Sequence, residues 1–224
     1  MQLVAKGFSQ IEGLDYNQVF SPVVCFKTVC LILVIAALEN WTIQGLDMQN
    51  TYLYRKLDKE IYMEQPEGYK IPGKEHMVFH LLCALYGLKQ AGLAWWQALK
   101  ASMEDMGFIC LNSDAGIFLY RNKESFVITV IYVDDSLFCG PLTVLVKQLK
   151  EKFQAIWETQ DLGEVMEFLC IGINCVDHCI HIDQTVYLQT VLQHCGMQNS
   201  KSALTPLPAG YVPTKWEGVT SPEL

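Results

Sequence analysis

The sequence predicts an α+β fold in which helices interleave with hairpin-forming strands. Three observations lead there. Trp41 to Met48 and Phe126 to Val133 are runs rich in strand formers. Leu93 to Met106 places Trp95, Leu99, Met103 and Met106 at helical spacing and meets a natural C-cap at Gly107. Polar turns such as Arg121-Asn122-Lys123-Glu124 separate neighbouring strand candidates.

Taken in order, Ile11 to Asp15 reads as a turn, and the length of the Thr28 to Leu38 apolar run favours a buried helix. The Trp41 to Met48 strand follows and carries Asp47 near its end. Glu60 to Gln65 alternates as a short strand before the Pro66-Glu67-Gly68 turn, and Leu81 to Leu88 is apolar with a glycine break. After the Leu93 helix, Ile117 to Tyr120 and Phe126 to Val133 pair as strands. Leu145, Leu149, Phe153 and Ile156 mark another helix. Glu167 to Cys175 and Cys179 to Ile182 suggest a hairpin around Asp177-His178, and Val186 to Cys195 a helix closed by Gly196. Beyond Met197 the chain turns polar and proline-rich, as an irregular tail does. No internal repeat is visible.

Composition narrows the class. Half the chain is hydrophobic, enough to bury a core. Met1 to Gln10 lacks the apolar stretch of a secretion signal, and Val29 to Leu38 is too short to span a bilayer, so an intracellular protein, cytoplasmic or nuclear, is expected. Nine cysteines without a CxxC pair read as reduced thiols. A net charge of −8 counts against tight nucleic-acid binding, which draws on Lys and Arg at phosphates.

The chemistry concentrates in Tyr132-Val133-Asp134-Asp135, set between two apolar runs at a hairpin tip. Adjacent carboxylates repel unless a cation sits beside them, and a divalent metal is the usual remedy. Two-metal nucleotidyl transfer needs carboxylates from separate strand ends converging on one point, and Asp47 ends the other good strand. Taken alone, such a hairpin tip is more often a solvated turn than a metal site.

The rest of the chain adds to this. Leu3 to Gln10 (LVAKGFSQ), Phe20 to Val24 (FSPVV), Ile61 to Pro66 (IYMEQP), Ala84 to Ala91 (ALYGLKQA), Tyr132 to Asp135 (YVDD) and Asp161 to Glu164 (DLGE) occur in that order. Together they resemble the reverse transcriptase domain of Ty1/copia-type LTR retrotransposons, a segment of a Pol polyprotein, from residue 2 to about Pro208. The resemblance implies a fingers-and-palm polymerase fold with an incomplete thumb, over 1–198, followed by an irregular tail, 199–224. It implies synthesis of DNA on an RNA or DNA template with primer, from dNTPs, with two Mg2+ ions or Mn2+ in their place. Asp47, Asp134 and Asp135 match the family's catalytic, metal-binding carboxylates. Tyr52 matches the aromatic under the incoming sugar, Gln90 the glutamine beside the nascent base pair, and Lys6 lies in the fingers region where cations meet the triphosphate. Phe168, Leu169 and Cys170, with Ile171, match the hairpin that supports the primer end.

The chain departs from the family at several cationic positions, which here are Gln2, Cys25, Cys30, Gln49, His80, Cys83 and Leu93. Cys170 stands where the family has a glycine. Each lost phosphate contact weakens nucleic-acid binding. A second reading therefore stands beside the polymerase: a non-catalytic remnant, or a nucleic-acid-binding or interaction module. Elsewhere the plainer alternatives are structural. Cys175, His178, Cys179 and His181 are too crowded along a hairpin for a tetrahedral zinc site. Trp95 reads as core, although paired with Trp96 it suits base stacking. Lys147, Lys150 and Lys152 fit a template contact or a solvated helix face, and Lys89 a nucleic-acid contact or a capped turn.

Overall fold

The computed structural model describes residues 3–49, 51–54, 57–176, 179–205 and 210–212. The Asp177-His178 turn and most of the expected tail lie outside the described residues. The chain divides into two compact units, Met1–Gln184 and Thr185–Leu224.

The first unit is mixed α/β around an antiparallel sheet. Its six strands are β1 (Thr42–Met48), β4 (Phe108–Cys110), β5 (Ile117–Arg121), β6 (Phe126–Tyr132), β7 (Asp135–Gly140) and β8 (Thr159–Glu164). Their spatial order is β4-β5-β6-β7-β1-β8, so β1 is inserted between a meander of later strands and an edge strand. Two small sheets accompany it: β2 (Ile61–Glu64) with β3 (Val78–Leu81), and β9 (Glu167–Phe168), β10 (Ile171–Val176) and β11 (Cys179–Asp183).

Both faces of the large sheet are covered, which is why β6 and β7 read as continuous apolar runs. On one face α2 (Ala91–Asp105) and α3 (Thr143–Gln154) pack Trp95, Leu99, Met103, Leu149 and Phe153 against Leu46, Met48, Phe118, Ile131 and Phe138. On the other, α1 (Phe26–Leu38) packs Val29, Ile32, Leu33 and Ala36 against Ile43, Val130, Leu137 and Cys139. Alternate residues along each strand therefore belong to opposite layers. Only one side of α1 is buried; Leu31, Val34 and Leu38 on the other are exposed. The N-terminus of α1 is tied down from far along the chain: the Asp114 carboxylate accepts from Cys25 N–H at 2.9 Å and Thr28 Oγ1 at 2.6 Å.

Three strands were not foreseen: β3, β4 and β8. The expected strand from Glu167 to Cys175 is broken into β9 and β10 by a tight turn at Leu169 and Cys170, both at positive φ. Lys150 also departs from expectation. It faces neither template nor solvent but is buried, donating to Asp161 Oδ1 at 2.5 Å and Gln44 Oε1 at 3.1 Å, which pins α3 to β1 and β8. Burial of Asp161 opposes its ionisation, but the Lys150 and Gly163 hydrogen bonds hold its carboxyl below the usual range. Lys89 reaches the N-terminal segment rather than its own turn, donating to Gln10 O and Tyr16 Oη, both at 3.2 Å. All nine cysteines are free thiols. Full burial pushes the Cys139 thiol up to about 12, which leaves it inert as a nucleophile. Among the described residues no helix is long and apolar enough to cross a membrane.

The second unit holds α4 (Thr185–His194), which Gly196 ends at φ 65°, with Met197 N–H returning to Leu192 O at 2.7 Å.

Two of the sequence segments meet at a glycine crossing. Ala5 N–H donates to Tyr86 O at 2.7 Å, Gly87 sits at φ 90°, and a Cβ on Gly87 would run into the Ala5 carbonyl oxygen. Gly87→Ala is expected to lose at least ~2 kcal/mol in a urea melt, since backbone strain and a main-chain clash combine. Gly13→Ala, at φ 83° in open space, isolates the strain alone and loses about 1 kcal/mol. Equal losses in the two variants would show that the crossing contributes nothing.

Candidate active site

The antiparallel register of β1 and β7 sets Asp47 directly opposite Asp135, and the register of β6 and β7 sets Tyr132 opposite Asp135. By strand alternation Asp47 shares the face of Ile43, and Asp135 that of Leu137 and Cys139. The two carboxylates thus lie on the same side of the sheet, at the end of its α1 layer. The hairpin turn is Val133-Asp134, with Val133 at φ 52°, a conformation a β-branched side chain adopts only under strain. Surrounding bonds hold it there. Met48 N–H donates to Asp134 O at 2.8 Å, fastening the tip to the end of β1, and the Thr51 hydroxyl donates to Asp134 Oδ1. On its other edge β1 pairs with β8 through an irregularity between Gly45 and Leu46. Such bulges re-aim side chains near active sites.

The electrostatics are those of uncompensated negative charge. Burial pushes the Asp135 carboxyl up, and the charges of Asp47, Asp134 and Glu167 push it further. Burial also raises Asp134; the Thr51 hydrogen bond opposes this and Asp47 adds to it. The ion pairs found among the described residues, Lys100–Glu104 and Lys150–Asp161, involve none of the three aspartates. Carboxylate oxygens are the donor set of a hard divalent cation, and mutual repulsion in a partly desolvated site is what such a cation relieves. By chemistry the residues therefore fit magnesium or manganese. Among the described residues no three His, Cys, Asp or Glu side chains are gathered closely enough to enclose one ion, and one oxygen of Asp134 is already occupied by Thr51.

An aromatic wall borders the aspartates. Tyr52, in the 3-10 turn Thr51–Tyr54, meets Tyr86 edge-on with ring centroids 4.7 Å apart. It packs against both the main core and the small cluster of Ala5, Ile61, Ala84 and Leu88. Burial, Asp134 and Tyr86 raise the Tyr52 phenol. Burial and Asp134 raise that of Tyr86, which also hydrogen-bonds Thr51. Ser21, Pro22, Val23, Tyr52, Trp95 and Val133 line one crevice, which sets the Phe20–Val24 segment beside Tyr52 and the hairpin turn, on the α2 side of the sheet.

Gln90 is buried and its amide is engaged, accepting from Gln10 Nε2 at 3.0 Å and donating to Asp15 O at 3.1 Å. It also borders an open polar pocket of about 420 Å³ with Tyr16, Asn17, Gln18, Asp58 and Gln97. Lys6 is exposed at the start of the Gly7–Ser9 turn, and no contact ties its ammonium group to the aspartates. Phe168 is buried in the α1 layer, while Leu169 and Cys170 form the turn beyond it at φ 52° and 61°. Both central residues of that two-residue turn need φ > 0, the physical reason for a glycine where this chain has Cys170. Three residues escaped the sequence reading: Thr51, Tyr86 and Glu167. Tyr86 lies inside the Ala84–Ala91 segment, and Glu167 immediately precedes Phe168, so their segments, though not their roles, were visible.

The sequence profile described as "Reverse transcriptase (RNA-dependent DNA polymerase)" matches residues 1–209. The retrovirus-related Pol polyprotein from transposon TNT 1-94 of Nicotiana tabacum is 36% identical over 214 residues, covering 94% of this chain and 16% of the relative. That from transposon RE2 of Arabidopsis thaliana is 32% identical over 222 residues, covering 99% and 15%. The putative transposon Ty5-1 protein of Saccharomyces cerevisiae is 27% identical over 129 residues, covering 58% and 42%. The chain thus spans about a sixth of the first two relatives. No solved structure matches it.

Asp135→Asn is expected to stabilise the fold in EDTA. Because the folded-state pKa is raised, the charged form destabilises the fold above it, and removing the charge restores that stability. The melting temperature at pH 7 should rise by up to about 3 °C, the shift that ~1 kcal/mol makes in a domain of this size. The gain should vanish below the ordinary carboxylate range, where both proteins are neutral at this position.

Proposed function

The chain belongs to the reverse transcriptase family of copia-type Pol polyproteins, and from that premise we propose that it carries the polymerase site for transfer of a nucleotide from a dNTP to a primer 3′-hydroxyl. The observation that carries the reading is the Asp47–Asp135 cross-strand pair with Asp134 beside it, three carboxylates that no described ion pair neutralises. Asp47, Asp134 and Asp135 would hold the divalent metals. Bound Mg2+ or Mn2+ supplies an activated nucleophile and a clamp on the charge of the triphosphate.

The remaining assignments rest on the same reading. The six-stranded sheet with α2 and α3 serves as the palm. The N-terminal segment, β2 and β3 serve as fingers, within a 1–198 region that includes the start of a thumb; 199–224 is a tail. Tyr52, braced by Tyr86, is the wall under the incoming sugar. Gln90 holds the N-terminal segment through Gln10 and Asp15 and in that way shapes the nucleotide site. Lys6 meets the triphosphate. Phe168, Leu169 and Cys170 form the primer-supporting hairpin; the rise that the Glu167 charge causes at Asp135 is consistent with its closeness to the aspartates. Template, primer and dNTP are the partners.

Primer extension on a homopolymer RNA template with Mg2+ tests this. Asp134→Asn and Asp47→Asn should each lower the rate at least about a hundredfold, the several kcal/mol a metal clamp supplies. The low cation content and the neutral residues at Cys25, Cys30, Gln49, His80 and Cys83 favour the second reading, a non-catalytic module. No extension by a chain that melts cooperatively would support it. In an active chain, Tyr52→Ala should raise ribonucleotide incorporation relative to dNTP by about tenfold or more in single-nucleotide assays, because removing the ring makes room for a 2′-hydroxyl.

A further inference from the structure

We infer that Thr51 is a positioning residue for the Asp134 carboxylate: its hydroxyl occupies Oδ1, fixes the side chain, and leaves the other oxygen to face a divalent cation. The inference rests on the metal-dependent reading above.

Thr51 is fully buried where the chain leaves β1 and enters the Thr51–Tyr54 turn. A buried hydroxyl without an acceptor costs about 1–3 kcal/mol, so its single proton must be placed. Met48 O lies 3.4 Å away, and the Tyr86 phenol, which also hydrogen-bonds Thr51, has a proton of its own to donate; Asp134 Oδ1 is the negatively charged acceptor. A charge-assisted bond is roughly twice as strong as a neutral one, so the proton belongs to the carboxylate. Asp134 is then tied to the end of β1 twice, through its main-chain oxygen by Met48 N–H and through its side chain by Thr51. Two attachments from one short segment fix both the position of the residue and its rotamer. Tyr52 and Tyr86 stand edge-on to each other nearby, ring centroids 4.7 Å apart, and Tyr86 also hydrogen-bonds Thr51. The carboxylate accordingly has one oxygen engaged by Thr51, and among the described residues no hydrogen bond is found at the other. Outer hydrogen bonds of this kind orient metal ligands in general.

The test is Mn2+ binding, followed by electron paramagnetic resonance of the free ion, with melts in EDTA alongside. Wild type should bind, and Asp134→Asn should not. Thr51→Val keeps the shape and removes the hydroxyl; it should bind Mn2+ about tenfold or more weakly. Thr51→Ser restores the hydroxyl and should stay within about twofold of wild type. If Thr51→Val fails to melt cooperatively, Thr51→Ala makes the same comparison. Equal affinity in wild type and a hydroxyl-free variant overturns the inference and leaves the metal-dependent reading standing. Absence of Mn2+ binding by folded wild type overturns both.

Discussion

The candidate site depends on one constraint, the antiparallel register between β1 and β7. It alone brings Asp47 opposite Asp135. A slip of one residue would turn Asp47 to the other face of the sheet. What prevents the slip is burial on both sides at once. Ile43, Leu137 and Cys139 must face α1, while Leu46, Met48 and Phe138 must face α2 and α3. Buried Lys150 adds a polar lock on the same strand through Gln44. The acidic pair itself opposes the assembly, so the apolar layers supply the free energy that holds two like charges together.

Much of this was legible because the site interrupts strong patterns. Asp134 and Asp135 stand out between Phe126–Ile131 and Leu137–Gly140, and Asp47 ends a run of strand formers. Trp95 and Leu99 declare their helix by spacing. What could not be read was set by distant partners. Thr51 acquires its meaning from a carboxylate 83 residues later. Lys150 looks like a solvated residue beside Glu151, and its burial is tolerable only because Asp161 and Gln44 arrive from two strands. β8 escaped notice since Thr159, Gln160, Asp161 and Gly163 show no apolar alternation, as an edge strand permits. β4 is three residues long and has no period to detect.

Backbone strain collects around the same region. Val133 and Cys170 occupy left-handed conformations at the tips of the two turns nearest the chemistry, and neither is glycine. Each stores roughly 1–3 kcal/mol. At Val133 the surrounding bonds over-determine the turn. At Cys170 the strain falls on a turn whose other central residue, Leu169, is also left-handed at φ 52°.

The insertion of β1 into the sheet bears on how the protein folds. Ser136 Oγ reaches Leu46 O across 90 residues of chain, and Lys150 reaches Gln44 across 106. Strands β4 to β7 form a local meander that closes small loops, whereas β1 must wait for partners made much later. Long-range pairing of this kind is slow, because loop-closure entropy is lost before contacts repay it. During synthesis the first aspartate therefore emerges well before the other two. For that interval the β1 segment has both edges open and Ile43, Leu46 and Met48 uncovered, the kind of exposure that chaperones protect.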